Sequence, residues 1–350
     1  MATAVKELLE GQKGPAFTVK KQKIDKVNEE AARLGLTPGM DILPMLMIDQ
    51  AQYESFHDGT LFLMMQLQEQ LLGITMMRYP KFDFFAMEEE APARLQTLVM
   101  AAKELRTSFS EMFFITERIK HDQIPVDSKL QIAYERSAMR MQRMLANMSD
   151  AGKLVRGRMD EMTIVNVKSL FDEVFEKAST LLGEEGPKII YHGLSEQLVT
   201  AASPQKLERA AYNLLSNAIK FTPTEGTIEA WLTQRDSYLQ LIIQDDGDGI
   251  PDHIWNHLFT RYHRAARVED YRHGMGLGLL ITSCIAMMHG GSLLVQRAPE
   301  KGTRVCFTIA LQKMPSGKLF THPLIVDYEG GKDPALLELS DVLPVFAYTY

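Results

Sequence analysis

Cysteine is nearly missing from this chain: two in 350 residues, Cys284 and Cys306, both inside apolar segments. That excludes a disulfide-stapled fold and a thiolate metal centre, and it fits buried thiols of a reducing compartment. Long apolar runs are missing too. No stretch reaches the ~18 to 20 uncharged apolar residues of a membrane-crossing helix. The nearest, Thr60 to Met77, is broken by Gln66, Gln68, Glu69 and Gln70. The opening residues lack the apolar core of a signal peptide. Positive charge is not in excess: 38 Lys and Arg face 45 Asp and Glu, a formal charge of −7. No global basic field therefore draws the chain to nucleic acid. These absences predict a cytoplasmic protein without a membrane span.

What is present is globular. Apolar residues make up 45% and charged residues 24%, and the length suggests two or three domains. The first 26 residues hold six lysines against three acidic residues, which reads as a solvated leader or a polybasic membrane contact. Residues 1–85 are expected to form a mostly helical input region, with breaks at Gly35, Pro38, Gly39 and Pro44. Residues 86–158 carry two segments with three-four spacing around a loop at Pro125. The first runs Leu95, Leu98, Ala102, Leu105, Phe109, Met112, Thr116, Ile119, and the second Tyr134, Ser137, Met141, Met144, Met148, Ala151, Val155. So narrow a stripe predicts a helical hairpin that pairs with a second copy into a four-helix bundle, a homodimer. The alternative is a hairpin packed on its own chain. The 21 methionines fit adaptable helix packing.

Residues 159–313 alternate strand and helix patterns and predict an α/β sandwich, so the fold class is α+β overall. Strands are expected at Met162 to Val167, Lys188 to Tyr191, Thr227 to Gln234, Tyr238 to Gln244, Ser292 to Arg297 and Thr303 to Leu311. Helices are expected at Ser169 to Leu182, Ser203 to Lys220 and Leu279 to His289. Residues 314–350 form a tail whose apolar stretch, Leu336 to Val345, is expected to dock on a domain.

Four motifs stand in order in the third part. In Asn213-Leu-Leu-Ser-Asn217-Ala-Ile-Lys220-Phe-Thr-Pro, Asn213 and Asn217 share one helix face with Lys220 close behind. An amide oxygen suits Mg²⁺ and an ammonium suits phosphate; a polar solvent face would look the same. Asp245-Asp-Gly247-Asp-Gly249 follows a strand. Its glycines permit close approach by a flat ligand, and its carboxylate can accept from an exocyclic amine, although Asp and Gly also dominate ordinary turns. Phe259-Thr-Arg-Tyr-His-Arg264 is a basic-aromatic segment, and Gly274-Met-Gly276-Leu-Gly278 opens a helix, a setting that can cradle phosphate.

With these residues the segment from Val165 to Leu311 resembles the ATP-binding catalytic domain of sensor histidine kinases, a fold shared with gyrase, a heat-shock chaperone and MutL. The resemblance implies that Asn213, Asn217 and Lys220 form the N box. It implies Mg²⁺ on Asn217, phosphate at Lys220, and the adenine amine on Asp245, with Gly247 and Gly249 beside it. Arg264 belongs to the F box, and Gly274, Gly276 and Gly278 form the lid hinge. The cofactors implied are ATP and Mg²⁺. Hydrolysing members of that superfamily place a glutamate where Asn213 stands, and an amide cannot act as general base.

The resemblance extends back to Leu95, where Ala102-Lys103-Glu104-Leu105-Arg106-Thr107-Ser108 is similar to the acceptor box His-Glu-Leu-Arg-Thr-Pro-Leu. Lys103 stands at the phosphoacceptor. An exposed lysine has a pKa of ~10.4 and offers almost no free amine at neutral pH, so autophosphorylation there is not expected. Glu104 and Thr107 are retained, and the position of Thr107 helps dephosphorylate a response regulator in the family. A receiver domain is the implied partner. Among other histidines, His121 reads as a helix-end cation. His57, in a His-Asp pair opening an apolar helix, resembles the acceptor of another histidine-kinase subgroup. The expected function is a two-component signalling protein that binds ATP; the competing one is a non-catalytic pseudokinase or response-regulator phosphatase.

Overall fold

The computed structural model describes residues 2–12, 14–46, 48, 50–57, 59–67, 70–87, 112, 132–143, 146, 162–251, 277–312 and 333–348. The first half of the chain departs from expectation. Instead of a mostly helical region, residues 16–87 carry five strands: β1 (Ala16–Lys20), β2 (Lys23–Val27), β3 (Thr60–Leu67), β4 (Gln70–Tyr79) and β5 (Phe82–Met87). Short helices lie around them: α1 (Ala2–Glu10), α2 (Glu29–Arg33) and α3 (Gln50–Ser55). The lysine-rich start is therefore structured rather than a solvated leader, with Val5 and Leu9 of α1 buried. Asn28 caps α2 by accepting from Ala31 N at 2.9 Å. The same Oδ1 also accepts from Ala16 N at 3.0 Å and so ties the helix to β1.

The physical reason for the correction lies in β3 and β4. Their Leu- and Met-rich stretches contribute to buried core, Leu61, Leu63, Met65, Ile74 and Met76 among them. A strand covered on both sides loses the two-residue alternation that marks it in sequence. His57 is exposed and precedes a strand, not an apolar helix, so the premise of its comparison with a second acceptor type is gone. A partly buried ion pair anchors the segment before it. Arg78 Nε donates to Asp83 Oδ1 at 2.8 Å, Tyr53 of α3 also donates to Asp83, and Arg78 Nη1 reaches the Tyr53 carbonyl at 3.1 Å.

The second half matches its predicted order closely. It comprises β6 (Thr163–Asn166), a helix Val167–Leu182, β7 (Lys188–His192), β8 (Val199–Ala202), a helix Pro204–Phe221, β9 (Thr227–Arg235), β10 (Tyr238–Asp245), a helix Leu277–Met288, β11 (Leu293–Arg297) and β12 (Thr303–Ala310). With the helix at 132–143 counted as α4, these three helices are α5, α6 and α7. The short strand β8, which pairs with β6, is the one element the sequence pattern does not flag. Ser203 and Pro204 open α6 as expected. His289, at the end of α7, accepts from Ser203 N on Nε2 at 3.1 Å. Its Nδ1 donates to the Ile285 carbonyl at 2.7 Å, so the ring is the neutral Nδ1–H tautomer and fixes the start of α6 against α7.

Both halves share one sheet. Among the described residues the strand order is β2-β1-β5-β4-β3-β11-β12-β10-β9-β7, antiparallel except for the parallel pair β7–β9. The junction is β3 with β11, where Phe62, Leu61 and Thr60 face Leu293, Leu294 and Val295. Phe62 belongs to the core of the second half, and Leu294 packs on the core of the first.

The apolar tail docks as expected. A helix α8 (Pro334–Glu338) and a final 3-10 turn (Val345–Tyr348) bury Leu337, Leu339, Leu343 and Ala347 in the same core. Helix α4 also packs there, through Ile132 and Met139. Of the expected dimer seam, Tyr134 is exposed, Met112 and Met141 are half-buried, and Ser137 is buried. Most of the hairpin, Lys103, Glu104, Thr107 and His121 included, lies outside the described residues.

Beside the tail, Glu208 of α6 has its pKa pushed up to about 7, by burial first and by Glu173 and Asp333, against the pull of Lys177. A carboxyl raised in the folded state favours folding below its unfolded pKa, and that contribution is lost as pH rises through the folded value. Glu208→Gln is expected to raise Tm markedly more at pH 8 than at pH 5. A thermal-melt difference that is the same at both pH values would contradict this.

Candidate nucleotide-binding site

The N-box residues lie on α6, which packs on α7. Asn213 is buried, and Asn217 and Lys220 are half-buried. A Cβ on Gly278, at the start of α7, would stand 3.6 Å from Asn213 Oδ1 and 3.8 Å from Asn217 Nδ2. The last glycine of the fourth motif therefore faces both amides of the first. Asp245 ends β10, buried, where its Oδ1 accepts from Gly247 N at 3.0 Å and Thr303 N at 3.1 Å. Both bonds fall on one oxygen, and Oδ2 of such a carboxylate can accept from a donor such as an exocyclic amine. Burial raises the pKa of this carboxyl; the two backbone N–H groups oppose the shift.

Gly247 is required by space. A Cβ there would come within 2.3 Å of the Phe221 carbonyl oxygen, so the loop after Asp245 lies directly on the end of α6. Gly249 follows with φ of 74°, against Gly302 of the turn before β12. Three separated segments thus converge: the end of α6, the end of β10 and the N-terminus of α7. The first turn of such a helix has backbone N–H groups without intrahelical partners and carries the positive end of the helix dipole. Arg264, Gly274 and Gly276 lie outside the described residues.

Residues from 202 to 313 match the family described as histidine kinase-, DNA gyrase B-, and HSP90-like ATPase. This stretch, about a third of the chain, is similar to the ATP-binding domain of histidine kinases. Hybrid signal transduction histidine kinase D of Dictyostelium discoideum is 27% identical over 233 residues, 64% of this chain and 15% of that protein. Sensor protein CreC of Escherichia coli strain K12 is 32% identical over 163 residues, 47% of this chain and 34% of that protein. The chain thus spans about a third or less of the length of these two relatives. Among solved structures, histidine kinase ThkA in complex with response regulator protein TrrA has 17% identity and a TM-score of 0.48, over 87% of this chain and 98% of that one.

Asn213, Asn217, Asp245 and Gly278 all lie within the stretch that matches this histidine kinase-type ATP-binding domain. Sequence reasoning missed a second set of residues at this site. Arg143 of α4 reaches Asn213 Oδ1 at 3.3 Å and Ser216 Oγ at 3.4 Å. It is paired with Glu338 at 3.2 Å and Asp341 at 3.0 Å. Burial would raise the pKa of Asp341, but Arg143, Arg140 and Lys220 outweigh it and hold the carboxyl below its usual range. No local pattern marks these partners, which come from opposite ends of the chain. Among the described residues no helix is long and apolar enough to cross a membrane.

Proposed function

We propose that this chain is a two-component-type signalling protein that binds Mg-ATP at the junction of α6, β10 and α7. The observation that carries the reading is the convergence of Asn213, Asn217 and Gly278, with Asp245 at the neighbouring strand end. Asp245 would take the exocyclic amine of adenine on Oδ2. Lys220, Gly274, Gly276 and Gly278 would meet the phosphates, with Arg264 contributing from the F box. Among the described residues no group of three or more His, Cys, Asp or Glu forms a metal site. A hard cation held by the Asn217 amide would therefore take most of its oxygen ligands from phosphate and water, as Mg²⁺ commonly does. Bound there, Mg²⁺ would neutralise phosphate charge. Asn213 cannot accept a proton from water, so the site suits retention of ATP more than hydrolysis.

In the working-kinase form, the hairpin at 86–158 pairs two copies and the γ-phosphoryl group passes to a histidine and then to a receiver domain. Lys103 at the acceptor position favours a second form. In it the chain is a pseudokinase or response-regulator phosphatase, with Glu104 and Thr107 retained and nucleotide state controlling the partner. Incubation with ATP labelled at the γ-phosphate separates the two. Acid-labile, base-stable protein phosphate in wild type would support the kinase. Its absence, with a signal gained in Lys103→His, would support the pseudokinase.

Nucleotide binding has its own test. Asn217→Ala is expected to weaken Mg-ATP by at least about tenfold, and Asp245→Asn to weaken every adenine nucleotide to a similar degree, as lost bonds to charged or buried groups do. Wild-type affinity in both variants, measured by calorimetric titration, would contradict the ligand assignment.

A further inference from the structure

Arg136, Arg140 and Arg143 follow one another at about a turn on α4 and share one face of it. All three engage the tail. Arg136 Nη2 donates to the Leu343 carbonyl at 2.9 Å, and its guanidinium lies 5.7 Å from the centre of the Tyr348 ring. Arg140 Nε is 3.0 Å from Asp341 Oδ1. Arg143 reaches Glu338 Oε2 at 3.2 Å and Asp341 Oδ2 at 3.0 Å. The tail is itself fixed to the ATP-binding half, by Leu337, Leu339 and Leu343 in the core and by Glu338 against Arg209 of α6 at 3.1 Å. Its joint with the core is apolar and buried, whereas its joint with α4 is polar and, at Arg140 and Asp341, partly open to solvent. The joint with α4 is therefore the weaker of the two.

What that joint covers is the stripe of α6 that carries the first motif. Arg209, Asn213, Ser216 and Lys220 recur at helical spacing and share one face. Arg209, Asn213 and Ser216 are buried. Glu338 takes the first of them, and Arg143 meets the other two, Asn213 Oδ1 at 3.3 Å and Ser216 Oγ at 3.4 Å. Against burial, Arg143, Arg140 and Lys220 together hold the Asp341 carboxyl below its usual range. The tail carboxylate thus stands within electrostatic reach of the lysine that would meet phosphate. We propose that α4 and the tail form an autoinhibitory latch on the nucleotide site: closed, it covers the Asn213–Lys220 stripe and gives Lys220 an internal carboxylate as counter-ion, so that the phosphates of ATP bind at its expense. The coupling rests on the nucleotide-binding reading above and adds the regulation of that site. Linkage is reciprocal, so ATP loosens the latch by the factor by which the closed latch weakens ATP. The part that loosens is α4, which belongs to the expected hairpin, so nucleotide occupancy would be passed to the element that carries Lys103, Glu104 and Thr107.

The test is made on the full chain, with ATP and adenosine as ligands. Arg136→Gln removes a cation and by charge alone can only weaken an anion. The latch predicts the reverse: ATP is expected to bind at least about fivefold tighter, and adenosine, which has no phosphate to compete, is expected to bind as before. Hydrogen exchange of the wild type reads the same coupling from the other side. ATP is expected to speed amide exchange across residues 132–143 by about the same factor, and adenosine is not. ATP affinity that is unchanged or lower in a folded Arg136→Gln variant overturns the latch. So does a variant that gains equally for ATP and adenosine, because the gain is then not at the phosphates. Wild-type exchange in 132–143 that ATP slows or leaves alone overturns it as well, and this measurement decides if Arg136→Gln does not fold. A wild-type chain that binds neither ligand overturns the nucleotide-binding reading and the latch with it. Intact wild-type binding without the variant's gain or the faster exchange overturns the latch alone.

Discussion

Glu338→Ala is expected to destabilise the ATP-binding half more than any other single change to the charged residues described. Glu338 is 1% exposed and pairs with Arg209, 3% exposed, at 3.1 Å, and with Arg143 at 3.2 Å. Removing one member of a buried ion network leaves the others charged, desolvated and uncompensated, at a typical cost of ~3–5 kcal/mol. For a unit of this size that is a fall in Tm of roughly 6 to 20 °C. Asp341→Asn is the internal comparison. Its side chain is 33% exposed, water can replace part of what is lost, and the expected change is about 1 kcal/mol or less. Thermal unfolding of both variants checks the ranking. A Glu338→Ala protein that melts like wild type would mean that the network is solvated in solution and that the docked tail is not integral to the fold.

The second large effect is expected at Gly59→Val, and it concerns the connection between the halves. Gly59 has φ of 105°, and a Cβ there would stand 2.2 Å from the Val295 carbonyl oxygen. The obstacle is backbone on one side and a conformation that β-branched residues avoid on the other. The chain can relieve the clash only by moving β3 off β11, which forfeits the pairing from Thr60 to Phe62. It also exposes Phe62, whose burial is worth ~1.5–3 kcal/mol. Wild type should unfold in one cooperative transition and the variant in two. A single unchanged transition would show that the halves are not coupled through this ladder.

The ATP-binding half was legible because its signals are local. Asn213 and Asn217 announce themselves by helical spacing, Asp245 by its place after an alternating strand, and Gly278 by opening a helix. The first half was not, because β3 and β4 are covered on both faces and read as helix in a Leu- and Met-rich sequence. The β1–β2 turn uses Lys21 and Gln22 at φ of 49° and 64°, positions where Gly or Asn would have signalled a hairpin. Arg143, Glu338 and Asp341 were invisible for another reason. Nearly two hundred residues separate Arg143 from its acidic partners, and neither side carries a mark of the other.

The shared sheet has one more consequence. Two separate sheets would present four open edges to solvent, each a template for unwanted pairing between molecules; joined at β3 and β11, they present two. Both remaining edges are short, and β2 is partly covered, its Ile24 N bonded to the Met40 carbonyl at 2.9 Å and its Ile24 carbonyl to Gly39 N at 2.8 Å. β2 carries Lys23, Asp25 and Lys26, with Asp25 paired to Lys20 at 2.7 Å, and a register shift interrupts its pairing with β1. β7 runs from Lys188 to His192, which meets Glu229 at 2.9 Å. The apolar strands β3 and β11 are the ones hidden in the seam. Parting the halves, as Gly59→Val would, uncovers them and turns a well-behaved chain into an aggregation-prone one.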